Sequence, residues 1–374
     1  MAPNPWHGQW MNRQHILSQL ARRGAQILYA TGQWHIWQRH EPGWRAAPRW
    51  GACERADGVL LDVAPRWLPR FRRYPSLDWL SLRLAALRLR RQIPRNRHRG
   101  YVLYLFHPDF EPYVDALKPA RLIYHAYDLF ERTPEWCERL QRSEDSLLRR
   151  ADACFASSSV TAERLQKRSG RTVQFLPNGA DVEAFRTAAR QPAPEPADLA
   201  DIARPRIGYI GRQNRKLDFA LIARLAQRHP DWQFVLIGPG GPLDKATKRG
   251  RHDCLTLANV HDLGSKHHRE LPAYTAALDV GLIPYRLGAG LWTEAAYPLK
   301  VHEYLGAERT VVAAPLESLA PLAHVIRFAQ REDDWAKQIA AALREPASKA
   351  PARSAAAAAY DWSRLADTVA TWIW

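Results

Sequence analysis

The sequence predicts an α/β protein of two domains, each built on a parallel sheet. Three observations carry this. The chain has 374 residues, enough for two cores of ordinary size. Short apolar runs such as Tyr101–Phe106, Ile207–Ile210 and Val280–Pro284 alternate with helical patterns. Residues 188–204 hold Pro192, Pro194 and Pro196, with Pro205 just beyond, a composition that marks a linker. The expected domains are residues 1–187 and 205–357.

In chain order, Trp6–Asn12 reads as a loop. Gln14–Arg23 reads as a helix with Ile16, Leu17, Leu20 and Ala21 on one face, capped by Gly24. Gln26–Thr31 and Val59–Val63 read as strands. Residues 66–99 then hold eleven arginines and one acidic residue, Asp78. Leu77, Leu80, Leu84 and Leu87 form a stripe at helical spacing, with Trp67, Phe71, Trp79 and Leu82 beside it. A basic helix with an apolar face suits an anionic membrane surface. The alternative is a helix whose leucines pack on the core and whose arginines are solvated.

Tyr101–Phe106 and Arg121–Tyr124 are the next strands. His107 follows the first; His125, Tyr127 and Asp128 follow the second. Side chains just past the ends of parallel strands face ligands. His107 and Asp128 are the candidate general bases, since an imidazole or carboxylate can take a hydroxyl proton. Asp128 is also a plausible helix cap. Thr161–Lys167 reads as a helix, Val173–Leu176 as a strand and residues 177–181 as a turn.

In the second half, Gly211-Arg212 and Lys216 follow the strand Ile207–Ile210, and Phe234–Ile237 ends in Gly238-Pro239-Gly240-Gly241. Val280–Pro284 leads into an exposed loop, Tyr285–Tyr297, with Gly288, Gly290 and Trp292. Pro298 suits the start of a helix. Lys300 and Glu303 then share one helix face. A cation and helix N–H groups can hold a diphosphate, and a carboxylate can accept from two ribose hydroxyls. A solvated surface pair is the plain alternative.

No run of 18 apolar residues occurs. Cys53, Cys137, Cys154 and Cys254 are scattered, as in a reduced, cytosolic protein. His252, Cys254, His261, His267 and His268 fit no zinc spacing, so no metal is expected. The formal charge of +16 points to an anionic partner: nucleic acid, anionic lipid or a sugar nucleotide. No nucleic-acid motif accompanies it, so none is expected to bind.

Several ordered segments together resemble GT-B glycosyltransferases, above all bacterial families related to glycosyltransferase family 4 and the teichuronic-acid type. They are LLRRADACFASSSVTAERL (147–165), FLPNGADVEAF (175–185), RPRIGYIGR (204–212), KLDFALIARLAQRHPDWQFVLIGPG (216–240), NVHDLGSKHHRELPAYTAALDVGLIPY (259–285) and PLKVHEYLGAERTVVAAP (298–315). The resemblance implies two Rossmann-like domains facing a cleft, with helix 358–374 crossing back to the first. It implies transfer from a UDP- or GDP-type sugar donor to a glycan or lipid-linked acceptor, without cofactor or metal. Its donor residues would be Arg212, Lys216, Glu294, Tyr297, Leu299, Lys300 and Glu303. The spacing from Arg212 to Lys216 is four where the family has five, and from Glu294 to Glu303 nine where the family has eight. The family's first strand has no counterpart before the Trp6–Asn12 loop, so the expected true N-terminus lies upstream. The expected location is the inner face of the membrane. A nucleic-acid-binding protein and an inactive GT-B scaffold are the rival readings.

Overall fold

The computed structural model describes residues 1–93, 100–191, 194–288 and 292–374. Residues 94–99 of the basic arm, Pro192 of the linker and Gly290 of the donor loop fall outside them, as does the Trp292 side chain. The chain packs as two units, Met1–Leu176 with Ala366–Trp374, and Pro177–Leu365.

The first unit begins with helix α1, Asn12–Arg22. Its strands are β1 (Leu28–Ala30), β2 (Ala52–Ala56), β3 (Val59–Val63), β4 (Val102–Leu105), β5 (Arg121–Ala126), β6 (Ala153–Ala156) and β7 (Gln174–Phe175). They form two sheets, ordered β1-β3-β2 and β4-β5-β6-β7. The second is parallel throughout; in the first, β2 runs antiparallel to β3. Between β1 and β4 lies the backbone of Met1 and Ala2. Ala2 N–H donates to Ala30 O and Phe106 N–H to Met1 O, each at 3.1 Å.

Helix α2, Pro75–Gln92, buries Ser81, Leu82, Ala85, Ala86 and Leu89. Leu77, Leu80, Leu84 and Leu87 are exposed, as is Trp79. The leucine stripe is therefore not the core face, which corrects the core-packed alternative. The small residues Ser81, Ala85 and Ala86 let the helix lie close to the unit, and the larger side chains are left outside.

The second unit holds β8 (Arg206–Ile210), β9 (Gln233–Ile237), β10 (Val260–Asp262), β11 (Val280–Ile283), β12 (Thr310–Ala313) and β13 (Arg327–Phe328). Their order is β10-β9-β8-β11-β12-β13, all parallel. Counted from β8 this is 3-2-1-4-5-6, with the topological switch point between β8 and β11, where such sheets bind ligands beyond the strands' C-terminal ends. The central strands are largely apolar and buried, as in a parallel sheet covered by helices on both faces.

Helix α3, Val182–Arg190, was expected in the first domain. Val182 and Phe185 instead belong to the second core, so the boundary falls after Leu176 and not after residue 187. The proline-rich linker is also tied down. Leu199 and Ile202 join that core, and Glu195 pairs with Arg204 at 2.7 Å and Arg206 at 2.9 Å. Helix α4, Lys300–Gly306, follows β11, and helix α5, Trp362–Ala370, closes the chain. Its last part, from Ala366, packs with the first unit.

Candidate functional site

The second unit's site is assembled at its switch point. Gly211 follows β8 with φ +150°, a conformation that favours glycine. A Cβ there would lie 2.7 Å from Lys300 Cε. Any larger residue would displace the lysine. Tyr304 pins α4 to the sheet: its hydroxyl accepts from Ile210 N–H at 2.8 Å, completing a bond the strand pairing leaves open.

Lys300 and Glu303 are only 6% and 7% exposed, so the solvated-pair alternative is excluded. Lys300 Nζ donates to Tyr285 OH at 2.9 Å and lies 5.0 Å from the centre of the Tyr209 ring. Lys216 Nζ stands 4.9 Å from the centre of the Tyr285 ring. Two ammonium groups therefore bracket one phenol. Burial would raise the Tyr285 hydroxyl, but Lys216 and Lys300 together hold it below the usual tyrosine range. Burial lowers Lys300, with Tyr285 opposing. Burial also pushes the Glu303 carboxyl up to about 7, and Lys300 opposes this. Among the described residues no side chain hydrogen-bonds the Glu303 carboxylate.

The helix start differs from expectation. Val301 and His302 N–H groups donate to the carbonyls of Pro298 and Leu299, each at 3.2 Å. Pro298-Leu299 form a turn ahead of a seven-residue helix, so these N–H groups are not free for phosphate. The anion-binding capacity lies in the lysine side chains. Leu299 is half-buried beside them.

The remaining donor candidates are placed as follows. Arg212 is exposed and makes no ion pair among the described residues. Glu294 is exposed on the short turn Trp292–Ala295. Tyr297 is buried; its hydroxyl meets His302 Nε2 at 2.9 Å, and His302 stacks on Tyr360 at 4.1 Å. Its ring is engaged in that stack. Thr293 Oγ1 donates to Arg286 O at 2.8 Å and anchors the loop beneath Glu294.

The first unit gathers His107 and Asp128 at the C-terminal ends of β4 and β5. His107 Nδ1 accepts from Asp109 N–H at 3.2 Å. Burial pushes its imidazole down to about 4, so it is neutral near pH 7. With Nδ1 accepting, the ring proton sits on Nε2. His107 thus presents Nε2–H at the end of β4. Asp128 Oδ1 accepts from Leu129 N–H at 3.0 Å, but Leu129 is the cap of the turn that follows, so the capping role is not its own. His125 belongs to β5 and points inward, Nδ1 against Tyr104 OH at 2.9 Å.

Sequence reasoning missed Tyr285, Tyr209 and Arg13. Tyr285 carried a signal, its place directly after β11. Arg13 is buried in the first turn of α1, 4.4 Å from the centre of the Tyr127 ring, and its charge acts on Asp128 and His107. No group of three or more metal-ligating side chains is gathered among the described residues.

Residues 204–345 match the family model described as glycosyl transferases group 1. A putative teichuronic acid biosynthesis glycosyltransferase of Bacillus subtilis is 30% identical over 186 residues, 49% of this chain and 45% of that protein. The chain thus spans under half the length of that relative. Among solved structures, sucrose-phosphate synthase from Thermosynechococcus elongatus superposes with a TM-score of 0.69 at 15% identity, covering 96% of this chain and 91% of that one. Anabaena HepE, solved with UDP and glucose, superposes with a TM-score of 0.58 at 17% identity over 78% of this chain and 80% of that one. At these identities the structures speak to the fold. The chain adopts the GT-B fold of these structures, and its residues 204–345 are similar to the glycosyl transferases group 1 family.

Proposed function

We propose that the protein transfers a sugar from a nucleoside-diphosphate sugar to a glycan or lipid-linked glycan. The observation that carries this is Lys300, a buried cation held by Tyr285 beneath Gly211 at the sheet's switch point. A diphosphate bound there leaves as the bond to the anomeric carbon breaks. Lys300 and Lys216, with Arg212 at the rim, offset the charge it gains. Leu299 lines the same turn, Glu303 takes the ribose hydroxyls, and Glu294 faces the donor sugar. In the first unit Asp128 takes the acceptor hydroxyl proton as the new C–O bond forms, and His107 donates from Nε2 to a substrate oxygen. Asp128→Asn is expected to lower kcat by about 10²–10⁴-fold, with donor KM little changed. An unchanged kcat removes Asp128 as the base.

The test of the donor site is calorimetric titration of UDP and of GDP, without divalent metal, into wild type, Lys300→Ala and Glu303→Ala. Binding of one nucleotide that both substitutions abolish supports the reading and identifies the base. Absence of binding to folded wild type favours an inactive scaffold.

The Glu303 shift gives this site a pH signature. Only the carboxylate accepts from both hydroxyls, so donor affinity is expected to fall as pH drops through about 7. One pH unit below that value the loss is about tenfold. Glu303→Gln should bind more weakly at pH 8 and lack this fall. The stability term has the opposite sense. The folded state keeps a proton that the unfolded chain releases, so this stability is full below the ordinary carboxylate range and is lost as pH rises through about 7.

The acceptor side is read from α2. Its exposed leucines, Trp79 and flanking arginines suit the anionic inner face of a membrane, where a lipid-linked acceptor would be reached. A likeness to a protein named for teichuronic acid biosynthesis supports a role in bacterial surface polysaccharide.

A further inference from the structure

A cavity of about 410 Å³ opens in the first unit at the N-terminal ends of β5 and β6. Arg83, Lys118, Arg121 and Arg150 line it, with Asp115 and Asp152. This is the opposite end of the sheet from Asp128. Across the length of β5 the separation is about 20 Å. The cavity therefore lies apart from the transfer chemistry.

Its charges are unevenly matched. Arg150 is committed to Asp115 at 2.5 Å and to Glu111 at 3.2 Å. Asp152 accepts from Leu122 N–H at 2.7 Å. Arg121 gives Nη1 only to the neutral carbonyl of Trp372, at 3.1 Å. Lys118 and Arg83 make no ion pair among the described residues. Arg83, Lys118 and Arg121 thus line the cavity without an ion pair among the described residues, and guanidinium and ammonium groups form strong charge-assisted hydrogen bonds to phosphate.

Arg83 ties this cavity to the membrane-facing side of α2. Its guanidinium lies 4.4 Å from the centre of the Trp79 ring, and Trp79 is exposed beside Leu80. A bilayer met by that apolar face would bring its headgroup phosphates to the cavity mouth. We infer that this cavity binds the phosphate of an anionic phospholipid headgroup and so fixes how α2 sits on the membrane. The inference rests on the membrane reading of α2. It adds a discrete headgroup site to a diffuse basic surface.

The test is partition of the full chain onto vesicles of phosphatidylcholine alone and of an equimolar mixture with phosphatidylglycerol. Lys118→Ala with Arg121→Ala is expected to weaken binding to the mixed vesicles by roughly 30-fold, at about fivefold per basic residue. Circular dichroism and thermal unfolding matching wild type show that the substituted unit folds, and nucleotide binding in the other unit should be unchanged. A charge-matched control, Arg164→Ala with Lys167→Ala on the helix Ser159–Ser169, should change binding little. Wild-type binding by the cavity variant overturns the inference, as does an equal loss in the control, which would mean diffuse charge. Saturable binding of inorganic phosphate at the cavity, with vesicle binding unaffected by the substitutions, also overturns it in favour of a free-phosphate site. Failure of wild type to bind either vesicle removes the membrane reading itself.

Discussion

Lys300→Ala is expected to lower kcat for sugar transfer by about 10²–10³-fold, the range seen when one fixed donor of transition-state charge is removed. The geometry gives the reason. Lys300 is held from three sides: by the Tyr285 hydroxyl at 2.9 Å, by the Tyr209 ring face, and by the bare backbone of Gly211. Its cation is thus positioned before the donor arrives, and little reorganisation accompanies the rise of charge on the leaving diphosphate. Water cannot substitute, because the position is buried. Lys216 remains in the variant, but it is half-exposed, so its charge is better screened. Arginine is no rescue, since a planar guanidinium is wider than an ammonium and Gly211 leaves no room for it. Steady-state kinetics on folded Lys300→Ala and Lys300→Arg check this. Wild-type turnover in the alanine variant would remove Lys300 from the mechanism.

The pairing of Lys300 with Glu303 was legible because three residues along a helix always return to one face. Their burial was not, because it depends on Tyr285 and Tyr209, which come from the ends of two other strands. The same limit explains His107. Its place after β4 could be read from the apolar run, but its tautomer follows from a bond to Asp109 N–H two residues on, which only the folded turn reveals. His125 was misplaced because β5 runs two residues beyond the apolar segment Arg121–Tyr124, and its partner Tyr104 lies on the neighbouring strand. The domain boundary moved because Val182 and Phe185 make an apolar face whose sequence does not say which of two cores receives it. The switch point between β8 and β11 likewise depends on strand order, which no local pattern encodes.

Leu80→Asp with Leu84→Asp in α2 is expected to reduce binding to anionic vesicles by about 10²–10⁴-fold, if each leucine buries the roughly 1.5–3 kcal/mol of an apolar side chain. The helix presents the two leucines 50% and 40% exposed, so the core has little stake in them. Its packed face is Leu82, Ala85, Ala86 and Leu89, on the opposite side. The substitutions therefore separate membrane binding from folding, which an amphipathic helix buried by its leucines would not permit. Aspartate also adds like charge to an anionic surface, so the loss should exceed that of the alanine pair. Nucleotide binding at Lys300 belongs to the other unit and should persist in the variant. Vesicle partition, UDP titration and thermal unfolding on one preparation decide the matter. A stable, nucleotide-binding variant that still partitions as wild type does would mean that α2 is not the membrane face, and that the exposed leucines await a protein partner.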